Sequence, residues 1–294
     1  MISKSEAKIT KGMIFAGCSF TWGQGLYYYS NLPSLREPEP DRYDPNMVQG
    51  THLRYAEMIR FPRLVSQRFG QFDLVHPNNG GSNEGAVQWW RQCFNYNPRN
   101  KFEHFPIYRI EKSDISHVFF QFTQWQRDNH HFKINGQEYN LPFHAALNDE
   151  NKKPFLDYLE SQQLSLEQWI QMYIREGFTN VKNFLQECEQ AGIKTYVYTW
   201  PDTYIDYIRN DPWMRTRFIT FEYNSVDYAC IEELMGVGTM QRKVHNPELT
   251  IKWDEEEFKV TPKDHHPSPK CHKVIAENII KRLENDERSS INSL

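Results

Sequence analysis

A chain of 294 residues is long enough for one large α/β domain or two small ones, and either would bury a sizeable core. Its formal net charge of -4 leaves no basic footprint for nucleic acid, and the acidic run from Asp254 to Glu257 reads as a solvated face. The 5 cysteines (Cys18, Cys93, Cys188, Cys230 and Cys271) are odd in number and scattered, which argues against a disulfide framework and for a reducing compartment.

In chain order, the first element is a short apolar strand, "MIFAG", residues 13–17, ending in glycine. Lysines before it and Cys18 after it imitate a lipoprotein cleavage site, but Met13 to Ala16 falls short of the roughly seven to fifteen apolar residues that export requires. No window reaches the roughly 18 apolar residues of a membrane span, so the reading is a soluble, cytoplasmic chain. Residues 28–50 are rich in proline and polar residues and form a long loop. "LRYAEMIRFPRLVSQRFG", residues 53–70, has helical periodicity and stops at Gly70, and "FDLVH", 72–76, follows it as a second strand.

"SHVFFQFT", 116–123, is a third strand, and "FKINGQEYNL" then forms an inserted hairpin turning at Asn135-Gly136. His130 and His131 flank it as surface residues. At Ser165, "SLEQ" offers a capping box to a long amphipathic helix that Gly192 terminates. "IKTYVYTW", 193–200, is the fourth strand, closed by Pro201, and a final amphipathic helix from about Lys270 runs into a polar, frayed tail over 286–294. Strands alternating with helices predict a three-layer α/β/α fold with a mainly parallel sheet, and no repeat or linker divides residues 1–294.

In such a sheet the ligand crevice lies beyond the carboxyl ends of the strands, which is where Ser19 falls. A serine hydroxyl needs a base to take its proton, and the base needs a carboxylate on its second nitrogen. "PKDHHPSPKCHKVIAENII" supplies both: Asp264 and His266 stand two residues apart, Pro267 stiffens the backbone, and the helix anchors the loop.

These residues resemble the SGNH hydrolase (GDSL-type esterase and lipase) superfamily. "GCSFTWGQG" is similar to the family's first block and puts the nucleophile on Ser19. "NNGGSNEGA" resembles the second block, which implies an oxyanion-hole amide at Gly80, with Gly81 as an alternative register. "DHHPSPKCHKVIAENI" resembles the last block, with His266 as base and Asp264 as its orienter. The resemblance implies the family's flavodoxin-like architecture, a serine esterase working through an acyl-enzyme, and no cofactor or metal.

Two departures accompany the matches. The third block should carry an asparagine after the third strand, yet the sequence reads "FFQFTQWQRDN": Trp125 takes that position, leaving Gln124 or Gln126 as the nearest amide donors. Cys18 replaces the usual aspartate of the first block. Other readings of the same residues are Cys18 as a thiol nucleophile and a metal cluster of Asp264, His265, His266, Cys271 and His272. Tyr27, Tyr28, Tyr29 and Tyr43 in the loop after the nucleophile would suit sugar faces, which points to a small acyl group on a carbohydrate as the substrate. The competing expectation is a binding or structural protein that keeps the fold with weak or no catalysis, and similar blocks in virus-encoded relatives extend it to a virion-associated one. Nothing in the sequence sets the oligomeric state.

Overall fold

The computed structural model describes residues 11–23, 26, 56–75, 81–97, 109–242, 258–259 and 266–292, of which 19, 22, 237–242 and 290–292 are described as backbone. The loop of residues 28–50, with its four tyrosines at or beside that span, and the acidic run at 254–257 lie outside the described residues.

Four parallel strands form the central sheet: β1 (Gly12–Ala16), β2 (Phe72–Val75), β3 (Ile115–Phe122) and a later strand, Lys194–Thr199, in the order β2, β1, β3, Lys194–Thr199. The chain winds from β1 out to β2 and then crosses back to β3 on the other side of β1. The winding therefore reverses between β1 and β3, and a doubly wound sheet opens its ligand crevice at the carboxyl ends of such a pair.

Period-two alternation splits the strand side chains between two cores. Met13, Phe15 and Phe119 face one, and Ile14, Ala16, Val118, Phe120 and Phe122 face the other. Burial on both faces explains why these strands read as continuous apolar runs. The first face is covered by α2 (Phe61–Arg68) and by the last helix (Pro269–Asn292). The second is covered by α3 (Asn83–Phe94) and by a long helix, Leu166–Gln190. The three-layer α/β/α arrangement follows. Among the described residues, no helix is long and apolar enough to cross a membrane.

Numbering the remaining elements in chain order gives α1 (Ser19–Trp22), then the hairpin strands β4 (Asn129–Ile134) and β5 (Gln137–Pro142), with α4 (Phe143–Ala146), α5 (Lys152–Ser161) and α6 (Leu166–Gln190) after them. The fourth sheet strand is β6 (Lys194–Thr199). Helices α7 (Ile205–Asn210) and α8 (Pro212–Arg215), the hairpin β7 (Phe221–Tyr223) and β8 (Val226–Tyr228), α9 (Ile231–Arg242) and α10 (Pro269–Asn292) complete the order.

Local chemistry explains several boundaries. Ser165 Oγ accepts from the amide of Gln168 at 3.1 Å while Gln168 Oε1 accepts from the amide of Ser165 at 2.9 Å, closing the capping box of α6. Asn135 and Gly136 both take positive φ, 51° and 81°, as a two-residue turn matched to strand twist demands.

Three expectations need correction. The helix expected over 53–70 is broken at Arg60, which is extended (φ −69°, ψ 146°), because Pro62 in the following first turn of α2 has no amide to continue the ladder. The tail expected from 286 is helical to Asn292, since Tyr196 donates to Asp286 at 2.8 Å and Arg282 pairs with the same carboxylate at 3.1 Å. His130 is buried, enclosed by Trp125, Phe143, Trp169 and Tyr173, because the hairpin lays one face on the end of α6. His131 on the opposite face is exposed.

Candidate active site

The site gathers at the carboxyl ends of β1, β3 and β6. After Ala16 the backbone passes through Gly17 and Cys18 and enters α1 at Ser19. Gly17 has to be glycine: a Cβ there would run into Thr21 Oγ1 and come within 2.8 Å of Gln121 Oε1. Gln121 on β3 clamps this turn from both sides, accepting from Thr21 Oγ1 and donating to Cys18 Sγ at 3.7 Å. The backbone around Ser19 is thereby tied to the neighbouring strand. Gln121 had no motif to mark it; its only signal is a polar residue inside the apolar run from Val118 to Phe122.

Phe20, next to Ser19, is buried and packs edge-on against Trp200, with 4.2 Å between ring centres. Trp200 follows β6, and its amide donates to the carbonyl of Phe122 at 2.9 Å, joining the exits of β6 and β3. The imidazole of His266 lies 5.1 Å from the ring of Phe20. His266 is half-buried and stands just ahead of α10. Pro267 bridges to Lys259, the amide of Ser268 donates to the carbonyl of Phe258 at 3.1 Å, and Ser268 Oγ accepts from the amide of Cys271 at 3.3 Å. Those bonds fix the backbone that directly follows the histidine.

Gly80 and Asp264 lie outside the described residues. Gly81, the alternative register, is buried directly before the Ser82 cap of α3, whose hydroxyl accepts from the amide of Gly85 at 2.9 Å. Cys18 is 1% exposed. Cys271 and His272 sit on α10 inside the first core, where His272 Nδ1 accepts from the amide of Phe61 at 3.2 Å and burial drives its pKa down to about 3. Among the described residues no three histidine, cysteine or acidic side chains are grouped as a metal site.

A second, polar half of the edge surrounds the exit of β3. Asn83 Oδ1 accepts from the amide of Thr123 at 2.8 Å, and Asn83 Nδ2 donates to the Thr123 carbonyl, Asp128 Oδ2 and the Tyr204 hydroxyl at 3.2, 3.2 and 3.1 Å. Asp128 Oδ1 accepts from the amide of Glu84 at 2.7 Å. Burial raises the Asp128 carboxyl to about 6, partly offset by these hydrogen bonds. The network binds the segment that opens α3 to the turn after β3. In that turn Trp125 is packed into the core against Phe143, with 4.7 Å between ring centres, and Gln124 and Gln126 are half-buried.

Beside this network lies a cleft of ≈ 250 Å³ lined by Glu84, Asp128, His131, Tyr173, Glu176 and Asn180 among others. Among comparisons with known proteins, no family model, no curated protein and no solved structure matches the chain.

Proposed function

We propose that the chain is a serine ester hydrolase of the SGNH type. Ser19 is the nucleophile, His266 takes its proton, and Asp264 accepts from the second imidazole nitrogen. The amides of Ser19 and Gly80 receive the oxyanion; His266 then protonates the leaving alcohol, and water releases the acyl group. The observation that carries this reading is the approach of His266 to Phe20, 5.1 Å between ring centres. It sets the last block of the chain beside the first at the carboxyl edge of a doubly wound sheet. The substrate class is a small acyl ester on a carbohydrate, which the tyrosines of the loop after the nucleophile favour by composition.

Turnover of p-nitrophenyl acetate tests the assignment. Ser19→Ala and His266→Ala should each lower kcat/KM by at least about 10³-fold, as removal of a nucleophile or its base does. Wild-type rates in both variants would remove the proposal.

One observation favours a second reading, a binding or structural protein on the same fold. Trp125 occupies the asparagine's place and is buried against Phe143, so this position contributes no side-chain amide to an oxyanion hole. Loss of one such donor costs on the order of 10² to 10³ in rate, which slows an esterase and does not abolish it. Under this second reading Ser19→Ala leaves every measured property of the chain unchanged.

A further inference from the structure

Arg127 closes the short turn after β3, at the same edge as Ser19 and His266. Its guanidinium sits 5.0 Å over the ring of Trp200, Trp200 touches Phe20, and Phe20 touches His266. A cation thus stands at one end of a row of two aromatic side chains, Trp200 and Phe20, whose other end reaches the proposed base.

This arginine differs from the others in its setting. Every other described arginine that is buried or half-buried (Arg60, Arg63, Arg91, Arg217 and Arg282) is in an ion pair with a carboxylate. Arg127 is half-buried, its Nη1 is buried, and that atom meets no acceptor among the described residues. The adjacent carboxylate does not serve: the oxygens of Asp128 accept from Asn83 and from the amide of Glu84, and among the described residues it makes no ion pair with Arg127. A guanidinium nitrogen buried without an acceptor is costly to keep, and the cation–π contact offsets part of that cost. The fork of a guanidinium matches a two-oxygen anion with two parallel hydrogen bonds.

We propose that Arg127 receives a carboxylate carried by the substrate, so that the preferred ester is anionic. The inference rests on the hydrolase reading for its role in turnover, but binding of the anion does not depend on catalysis. Trp200 supplies a flat wall behind the guanidinium, and Phe20 separates the anion from the proton-transfer pair.

The test compares two p-nitrophenyl esters, the butyrate and the hemisuccinate, which differ chiefly in a terminal carboxylate. The wild-type chain should favour the hemisuccinate by about 10- to 100-fold in kcat/KM, as a charge-assisted double hydrogen bond allows. In Arg127→Gln that ratio should fall to about one, and Arg127→Lys should retain part of it. A merely structural role would lower both rates together and leave the ratio unchanged, and that result overturns the proposal. Calorimetric titration with monomethyl succinate separates this inference from the hydrolase reading. If the chain hydrolyses neither ester, binding that is lost in Arg127→Gln still upholds the anion site. No binding to the wild type, or equal binding to the variant, refutes it. Monomethyl phosphate titrated in parallel should bind more weakly; tighter binding would contradict the carboxylate assignment.

Discussion

The two halves of the carboxyl edge are held by opposite chemistry. Beside the backbone of α1, which begins at Ser19, the ring of Phe20 packs on Trp200 and on the imidazole of His266, and Gln121 clamps the turn that precedes it. Around the exit of β3 the structure is a buried polar network centred on Asn83 and Asp128. An apolar frame leaves a nucleophile's surroundings able to strengthen electrostatic interactions, whereas a satisfied polar network fixes backbone geometry at the cost of tolerating little change. The first half should therefore answer to mutation in activity, and the second in stability.

Acid has the largest expected effect, and it acts on the whole fold, because the buried histidines lie beside the ring half (His272), beside the turn after β3 (His130) and at the start of β3 (His117). Burial holds His272 at about 3, beside the ring half, and His130 and His117 at about 4, while it raises Asp128 to about 6. For the histidines the folded state binds fewer protons than the unfolded one below pH 6.5, so their contribution is present at neutral pH and is lost as pH falls toward 4. For Asp128 the sign reverses: its contribution is greatest below about pH 4 and is lost as pH rises through 6. Three histidines outweigh one carboxyl, so stability should drop by several kcal/mol in order of magnitude between pH 6.5 and 4. Urea titrations at several pH values check this, and the drop should shrink in His272→Phe. A flat profile would contradict the burial of these histidines as neutral groups.

Asn83→Ala sharpens the contrast between the halves. The substitution leaves the amide and carbonyl of Thr123 and one oxygen of Asp128 without their buried partner, and should cost about 3 kcal/mol of unfolding free energy by denaturant titration. Gly17→Ala acts on the other half. The new methyl collides with Thr21 and Gln121, so the turn carrying Ser19 must move, and kcat/KM should fall about 10²-fold, equivalent to about 2.7 kcal/mol in the barrier. A stability loss without an activity loss would contradict the division. Ser165→Ala, remote from both halves, removes the capping box of α6 and should cost about 1 kcal/mol in a thermal melt with no change in kcat/KM.

The elements that the sequence makes legible are those whose signal is local. The apolar runs of β1, β3 and β6, the glycine stop at Gly192 and the Asn135-Gly136 turn need only their own residues. Which face the hairpin would lay on the core was not local, because alternation in β4 marks two faces without saying which one meets α6; His130 was misplaced for that reason. The tail beyond 286 reads as polar, yet one ion pair and one tyrosine suffice to keep it helical. For the candidate site, the order of the blocks points to Ser19 and His266, and the imidazole of His266 packs against Phe20, the residue after Ser19. Gln121 and Arg127 carry no local signal, because the position of the first comes from strand register and that of the second from a turn, neither of which a motif encodes.

The central claim is that the hydroxyl of Ser19 hands its proton to His266. Reaction with a fluorophosphonate, followed by mapping of the modified peptide by mass spectrometry, tests it most directly. The account predicts a single adduct on Ser19 in the wild-type chain and none in His266→Ala. An adduct at Cys18 or elsewhere, or labelling of Ser19 that persists without His266, would contradict it.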